Sequence, residues 1–111
     1  MTAAVTLDNV VAAVEQVESG GAWWAKSSAG CIGVMQICPQ WAHVPRTWLW
    51  HPEINRQEGR RLLTYWHRKA RGNWAFALAA YNCGWAGLKG QCGVGYARLV
   101  LSKARKLEEP T

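Results

Sequence analysis

The sequence predicts a mainly α-helical single domain, interrupted early by one small irregular or β-hairpin segment. Three observations carry this. Apolar residues recur at helical spacing over most of the chain. The 111 residues suffice for one hydrophobic core and not for two. Between Ala25 and Ile37 the helical period breaks, and Ser27, Ser28, Gly30 and Gly33 interrupt short apolar pieces. The expected organisation is one domain over 1–111, with the informative motifs between about 10 and 100 and a short tail from Glu108 to Thr111.

The elements follow in order. Val10, Ala13, Val14 and Val17 fall at i, i+3, i+4 and i+7 and mark a first helix. Thr6 is its expected N-cap, Asp8 suits its first turn, and Gly20 and Gly21 stop it. Pro39 starts a short helical turn, and Pro45 and Pro52 bracket a Trp-containing connection. A second helix carries the stripe Gly59, Leu62, Leu63, Trp66 and Ala70. Its outer face holds Arg56, Arg60, Arg61, Arg68 and Lys69, and Gly72 ends it. Asn73 caps a third helix from Trp74 to about Asn82, which is small and apolar all round and therefore central. Gly84 closes it. The last helix uses Ala97, Val100, Leu101, Ala104 and Leu107, and places Lys103, Arg105 and Lys106 where the helix dipole favours cations.

Half the residues are hydrophobic and 18% are charged, which excludes a disordered tail protein. No apolar run approaches the ~18 residues of a membrane span. Met1 to Leu7 is too short and too polar for the apolar core of a secretory leader, so export is expected to need a signal or route not contained in these residues. Thirteen Lys and Arg against seven Asp and Glu give a net charge of +6. That field favours a polyanion: nucleic acid, an anionic membrane surface or an acidic wall polymer. Eight tryptophans are the second anomaly. They fit either a Trp-rich core or a wet aromatic surface on which a flat ligand stacks.

Cys31, Cys38, Cys83 and Cys92 allow three disulfide pairings, and the even count suits an oxidising destination. Their spacing is too wide for the short C-x2–4-C of a zinc finger. Cys31 and Cys38 flank the Gly33 bend, and the Cys83–Cys92 segment can turn back on itself at Gly84, Gly87 and Gly90. These two pairings are expected, with Cys31–Cys83 as the rival.

The carboxylates are few. Asp8, Glu108 and Glu109 read as solvated, and Glu58 can pair with Arg61 at i+3. Glu18 differs. At 100° per residue it lies between Val11 and Val14, inside the apolar stripe. It also sits in the last turn of its helix, where the dipole penalises negative charge. Both effects favour the protonated acid, as a general acid working near neutral pH requires.

The residues around Glu18 form a pattern. Glu18-Ser19-Gly20-Gly21 leads to Ser27-x-x-Gly30-Cys31-x-Gly33-Val34-Met35-Gln36, with nine-residue steps from Glu18 to Ser27 and from Ser27 to Gln36. Asn55-x-x-x-Gly59 follows, and then Ala77-Leu78-Ala79-Ala80-Tyr81-Asn82-Cys83-Gly84. In this order, they resemble the motifs of lytic transglycosylases of the soluble-lytic (SLT) type. Cys31 and Cys83 replace alanines of that pattern, and Val34 replaces a leucine; no reacting group is lost.

The resemblance implies a lysozyme-like fold, with 1–111 as one catalytic domain. It implies cleavage of the β-1,4 bond between N-acetylmuramic acid and N-acetylglucosamine in peptidoglycan, leaving a 1,6-anhydro product. Glu18 would be the sole acid and base. Ser27, Met35, Gln36 and Tyr81 would line the sugar site, with Asn82 supporting its loop and the Tyr81 hydroxyl donating to Glu18 or to the substrate acetamido group. No metal or cofactor is expected. The expected partner is the glycan strand, met by a monomer at the cell wall or periplasm, without nucleic acid and without membrane insertion. A bacteriophage lysis or virion protein, or a module of a secretion apparatus, fits this setting. A conventional glycosidase needs a second carboxylate flanking the bond. Glu15 projects about 60° around the same helix from Glu18, and Glu53 belongs to a helix start. Three rivals remain open at this stage: a hydrolytic muramidase on the same bond, a catalytically silent sugar-binding module, and a nucleic-acid binder using the arginine face.

Overall fold

The computed structural model describes residues 4–110; Met1 to Ala3 of the leader reading and Thr111 of the tail lie outside the described residues. Helix α1 spans Leu7–Glu18, α2 Pro52–Lys69, α3 Trp74–Cys83, α4 Trp85–Leu88 and α5 Val94–Glu108. Two 3-10 turns, Pro39–Trp41 and Arg46–Trp50, lie between α1 and α2. Among the described residues no helix is long and apolar enough to cross a membrane.

The caps sit where local chemistry places them. The Thr6 hydroxyl accepts from the Asn9 N–H at 3.2 Å and starts α1. The Asn73 side chain accepts from Ala75 N and Phe76 N and starts α3. Val10, Ala13 and Val14 are fully buried along α1. Ala77, Leu78, Ala79 and Ala80 fill α3, which packs against α2, α4 and α5 and is the central helix. Small residues permit that closeness. A side chain at Gly87 or Gly93 would collide with the Ala79 backbone.

Three expectations change, and one is resolved: of the irregular and β-hairpin forms expected, the early segment takes the irregular one and forms no strand among the described residues. Instead Lys26↔Ile32 and Ile32↔Ile37 make two isolated bridges, because the backbone turns too sharply to continue a ladder. The four-residue α4, absent from the sequence reading, fills the turn after Gly84. Leu107 is half exposed and stands outside the buried stripe of Ala97, Val100, Leu101 and Ala104. Glu108 is no solvated tail residue. Its Oε1 accepts from Thr6 N at 2.7 Å, Thr6 Oγ1 at 2.8 Å and Asn9 Nδ2 at 2.8 Å, and clasps the chain's two ends together.

Helix α2 organises the long connection before it. Asn55 is fully buried: its Oδ1 accepts from Met35 N at 2.8 Å, and its Nδ2 donates to Ile32 O at 2.7 Å and Leu49 O at 2.9 Å. One amide thus satisfies three backbone groups that no regular element serves. Gly33, at φ +81°, has no room for a side chain against that amide, and Gly59 leaves room for the Met35 thioether. Glu58, also buried, accepts from His43 N at 2.6 Å and from Arg61 Nη2 at 3.1 Å. The outer arginine face is accordingly bonded rather than simply solvated. Arg56 reaches Glu15 at 2.8 Å and Glu53 at 2.9 Å, and Arg60 reaches Asp8 at 2.6 Å. Arg61 donates to Trp41 O at 2.6 Å as well as to Glu58. Arg68 and Lys69 remain exposed.

Candidate active site

Glu18 is the last residue of α1. Ser19 stops the helix and anchors it: its hydroxyl donates to Val34 O at 2.7 Å and accepts from Gly21 N at 3.0 Å. Gly20 and Gly21, at φ +62° and +89°, let the chain reverse at that point. Glu18 therefore sits where the end of α1 is pinned to the irregular segment through Ser19. Burial raises its pKa above 4.5, partly offset by a hydrogen bond that Tyr96 donates to Oε2 at 2.8 Å. The C-terminal end of α1 acts in the same direction as burial.

Tyr96 belongs to the first turn of α5 and was not singled out from the sequence. A signal existed: it lies at i, i+4 and i+8 with the buried Val100 and Ala104, so its ring faces inward and its hydroxyl needs a partner. Burial and the neighbouring Glu18 charge push the Tyr96 hydroxyl to a higher pKa, so it stays a proton donor.

Tyr81 is aimed differently from the expectation. Its hydroxyl donates to Met35 O at 2.7 Å and not to Glu18. It still stands close enough to feel the Glu18 charge, which with burial keeps the phenol protonated. Tyr81 also lines a cavity of about 310 Å³, together with Gln36, Asn82, Trp41 and Leu62. Glu18 is not on that lining; Tyr81 links the two.

Gln36 and Asn82 therefore share one cavity with Tyr81, beside Glu18. Gln36 adopts φ +53° and donates through Nε2 to Ala25 O at 3.1 Å and Gly33 O at 3.0 Å. Its orientation is fixed by the loop it closes. Ser27 and Met35 are placed otherwise. The Ser27 hydroxyl accepts from Cys31 N at 3.0 Å and shapes the loop away from the cavity lining. The Met35 side chain is fully buried against Gly59, and only its carbonyl, held by Tyr81, bears on the site.

The other candidate carboxylates are engaged. Glu15 accepts both Nε and Nη2 of Arg56, and Glu53, largely exposed, accepts Nη1 of the same arginine. The cysteines form Cys31–Cys38 and Cys83–Cys92 bridges. Cys38 and Cys83 both line the cavity, so each bridge braces one of its walls. Of the tryptophans, Trp66 is buried, whereas Trp23, Trp24, Trp41, Trp48 and Trp85 are exposed.

With this geometry in place, a profile of the transglycosylase SLT domain matches residues 3–94. The chain belongs to that family. Among solved structures, the SLT domain here is similar to the 70 kDa soluble lytic transglycosylase of Escherichia coli. The TM-score is 0.64 at 26% identity, covering 86% of this chain and 16% of that one. The chain thus spans less than a fifth of the length of that relative. A search of curated protein sequences finds no match. The lysozyme-like helical fold expected from the motifs is the fold of this SLT domain. Tyr96 lies just beyond the matched residues.

Proposed function

We propose that this SLT domain is a peptidoglycan lytic transglycosylase in which Glu18 acts alone as acid and base. The observation that carries this is the Glu18 carboxyl itself. It is the acid that burial biases toward the protonated form, and it stands beside a sugar-sized cavity lined by Tyr81, Gln36 and Asn82. Glu15 and Glu53, the alternatives for a second carboxylate, are both tied to Arg56.

In the proposed cycle Glu18 gives its proton to the glycosidic oxygen as the bond from the muramic C1 to that oxygen breaks. The N-acetylglucosamine leaves with a free 4-hydroxyl. Positive charge developing at C1 is met by the carbonyl of the muramic acetamido group. Glu18, now a carboxylate, takes the proton of the C6 hydroxyl, and O6 closes on C1 to form the 1,6-anhydro ring. Tyr96 donates to the carboxylate when it forms, which lowers the cost of an unprotonated Glu18 in a partly buried site. Tyr81 holds the Met35 carbonyl and keeps the Gln36 loop in register with the cavity. This division leaves Ser27 and Met35 supporting the loop and Gln36, Tyr81 and Asn82 contacting sugar.

The test is Glu18→Gln on purified peptidoglycan. Gln keeps the shape and the Tyr96 partner and removes the transferable proton. Activity should fall by at least the ~10²–10⁴-fold attributed to general acid–base catalysis. Near-parental activity removes Glu18 from the mechanism.

A further inference from the structure

The charges of this chain are segregated. From Gly59 to Leu107 the sequence holds ten of the thirteen Lys and Arg and no Asp or Glu. Such a stretch points to an anionic surface as partner. Helix α5 brings part of it into line. Val94, Arg98 and Arg105, at i, i+4 and i+11, fall within about 40° of one another around the helix, and all three are exposed. The acid of α5, Glu108, is turned to Thr6 instead. Among the described residues the ion pairs belong to Arg56, Arg60 and Arg61, so none engages the cations of this line.

Apolar surface accompanies the charge. Between α3 and α5 runs a groove of about 320 Å³, lined by Ala75, Phe76, Ala79, Val94, Arg98 and Leu101 among others. Phe76 is 42% exposed and Val94 48% exposed. Phe76 lies so close over Gly90 that a side chain there would press on its ring. We infer that this face docks on an anionic lipid bilayer, with Phe76 and Val94 entering the boundary between headgroups and acyl chains and with Arg98 and Arg105 meeting lipid phosphates. The combination decides the partner. A nucleic acid would use the cations and leave Phe76 and Val94 against a charged backbone; a bilayer interface takes both.

The same two helices serve the candidate active site from their other sides. Tyr96 projects about 160° around α5 from Arg98, and Tyr81 about 160° around α3 from Ala79. Tyr96 reaches Glu18, and Tyr81 lines the cavity beside it. Docking through the groove therefore leaves that cavity open.

The experiment is cosedimentation of the full chain at low ionic strength with vesicles of phosphatidylglycerol and phosphatidylethanolamine. Vesicles of phosphatidylcholine and a DNA duplex are the comparisons. The parent should bind the phosphatidylglycerol vesicles about tenfold or more above phosphatidylcholine, and lose that preference as salt is added. Arg98→Gln with Arg105→Gln should weaken binding about fivefold for each cation removed. Phe76→Ser with Val94→Ser should weaken it about three- to tenfold, as loss of partly buried apolar area requires. Helical circular dichroism matching the parent's keeps a misfolded variant from counting, and the arginine pair, exposed on α5, covers the case in which the apolar pair misfolds. Vesicle binding that is absent in the parent, equal on both lipids, or unchanged in the arginine variant overturns the proposal. So does a parent that prefers the DNA duplex and keeps that affinity in folded Phe76→Ser with Val94→Ser, which would make the face a nucleic-acid surface.

Discussion

The Tyr96 hydroxyl donates to Glu18 Oε2 at 2.8 Å across 78 residues of sequence, and joins the last residue of α1 to the first turn of α5. This contact sets the protonation of the proposed acid against its burial. The two act in opposite directions, and burial is the larger.

Tyr96→Phe should raise the Glu18 pKa further, because the lost hydrogen bond is the influence that lowers it. Activity that needs a protonated Glu18 falls as pH rises through that pKa. The falling limb of kcat/KM against pH should therefore move to higher pH, while the rate at the optimum drops. A profile identical to the parent's would show that Tyr96 does not act on Glu18.

Glu18→Gln should make the fold more stable at neutral pH. The Glu18 pKa is raised from 4.5, so the native state binds more protons than the unfolded state between the two values. Parental stability therefore declines as pH rises through that window. Gln carries no such penalty. Its advantage in urea unfolding should be present at pH 7 and fade below about pH 4.5. An equal or lower stability at pH 7 would mean the carboxylate is well solvated after all.

Glu58 runs the other way. Burial opposes its charge, but the hydrogen bonds from Arg61 and His43 N outweigh burial and hold its pKa below 4.5. Its contribution is present above the unfolded pKa and is lost as pH falls through the folded one. Glu58→Ala leaves Arg61 and the His43 N–H without their partner and should cost about 3 kcal/mol at pH 7. The cost should shrink near pH 3, measured by urea unfolding at both values. A loss below about 0.5 kcal/mol at pH 7 would place this pair among ordinary surface contacts.

Reduction of both disulfides should lower activity as well as stability. The bridges close short loops, each worth roughly 2–3 kcal/mol in the chain-entropy picture. Cys38 and Cys83 also stand in the cavity wall. With four free thiols verified by labelling, the melting temperature should fall by about 10 °C or more, and turnover should drop even well below the melt. Unchanged turnover in the reduced protein would mean the cavity walls hold without their braces.

The helices were legible because their evidence is local. Thr6 and Asn73 are caps within three residues of the groups they serve, and the burial of Val10, Ala13 and Val14 follows from spacing alone. Glu18 was legible for the same reason, as an acid in an apolar stripe. Contacts made across the chain were not. Glu108 finds Thr6 102 residues away, and its tail position concealed that. Asn55 serves Met35, Ile32 and Leu49, a bookkeeping of backbone groups that no periodicity records. The resemblance names Met35 and Gln36 together, yet adjacent residues of a turn point apart: Met35 enters the core and Gln36 borders the cavity. Tyr96 needed a second inference, that an inward tyrosine on α5 requires a polar partner, and the acid of α1 is that partner.

In the proposed cycle Glu18 works alone and the substrate's own C6 hydroxyl ends the reaction. The mass of the muramic product from purified peptidoglycan tests it directly. The 1,6-anhydro species, one water lighter than the reducing sugar, should be the product from the first turnovers onward. A product carrying the full water, or one that incorporates heavy oxygen from labelled solvent, would contradict it and make this SLT domain a hydrolase.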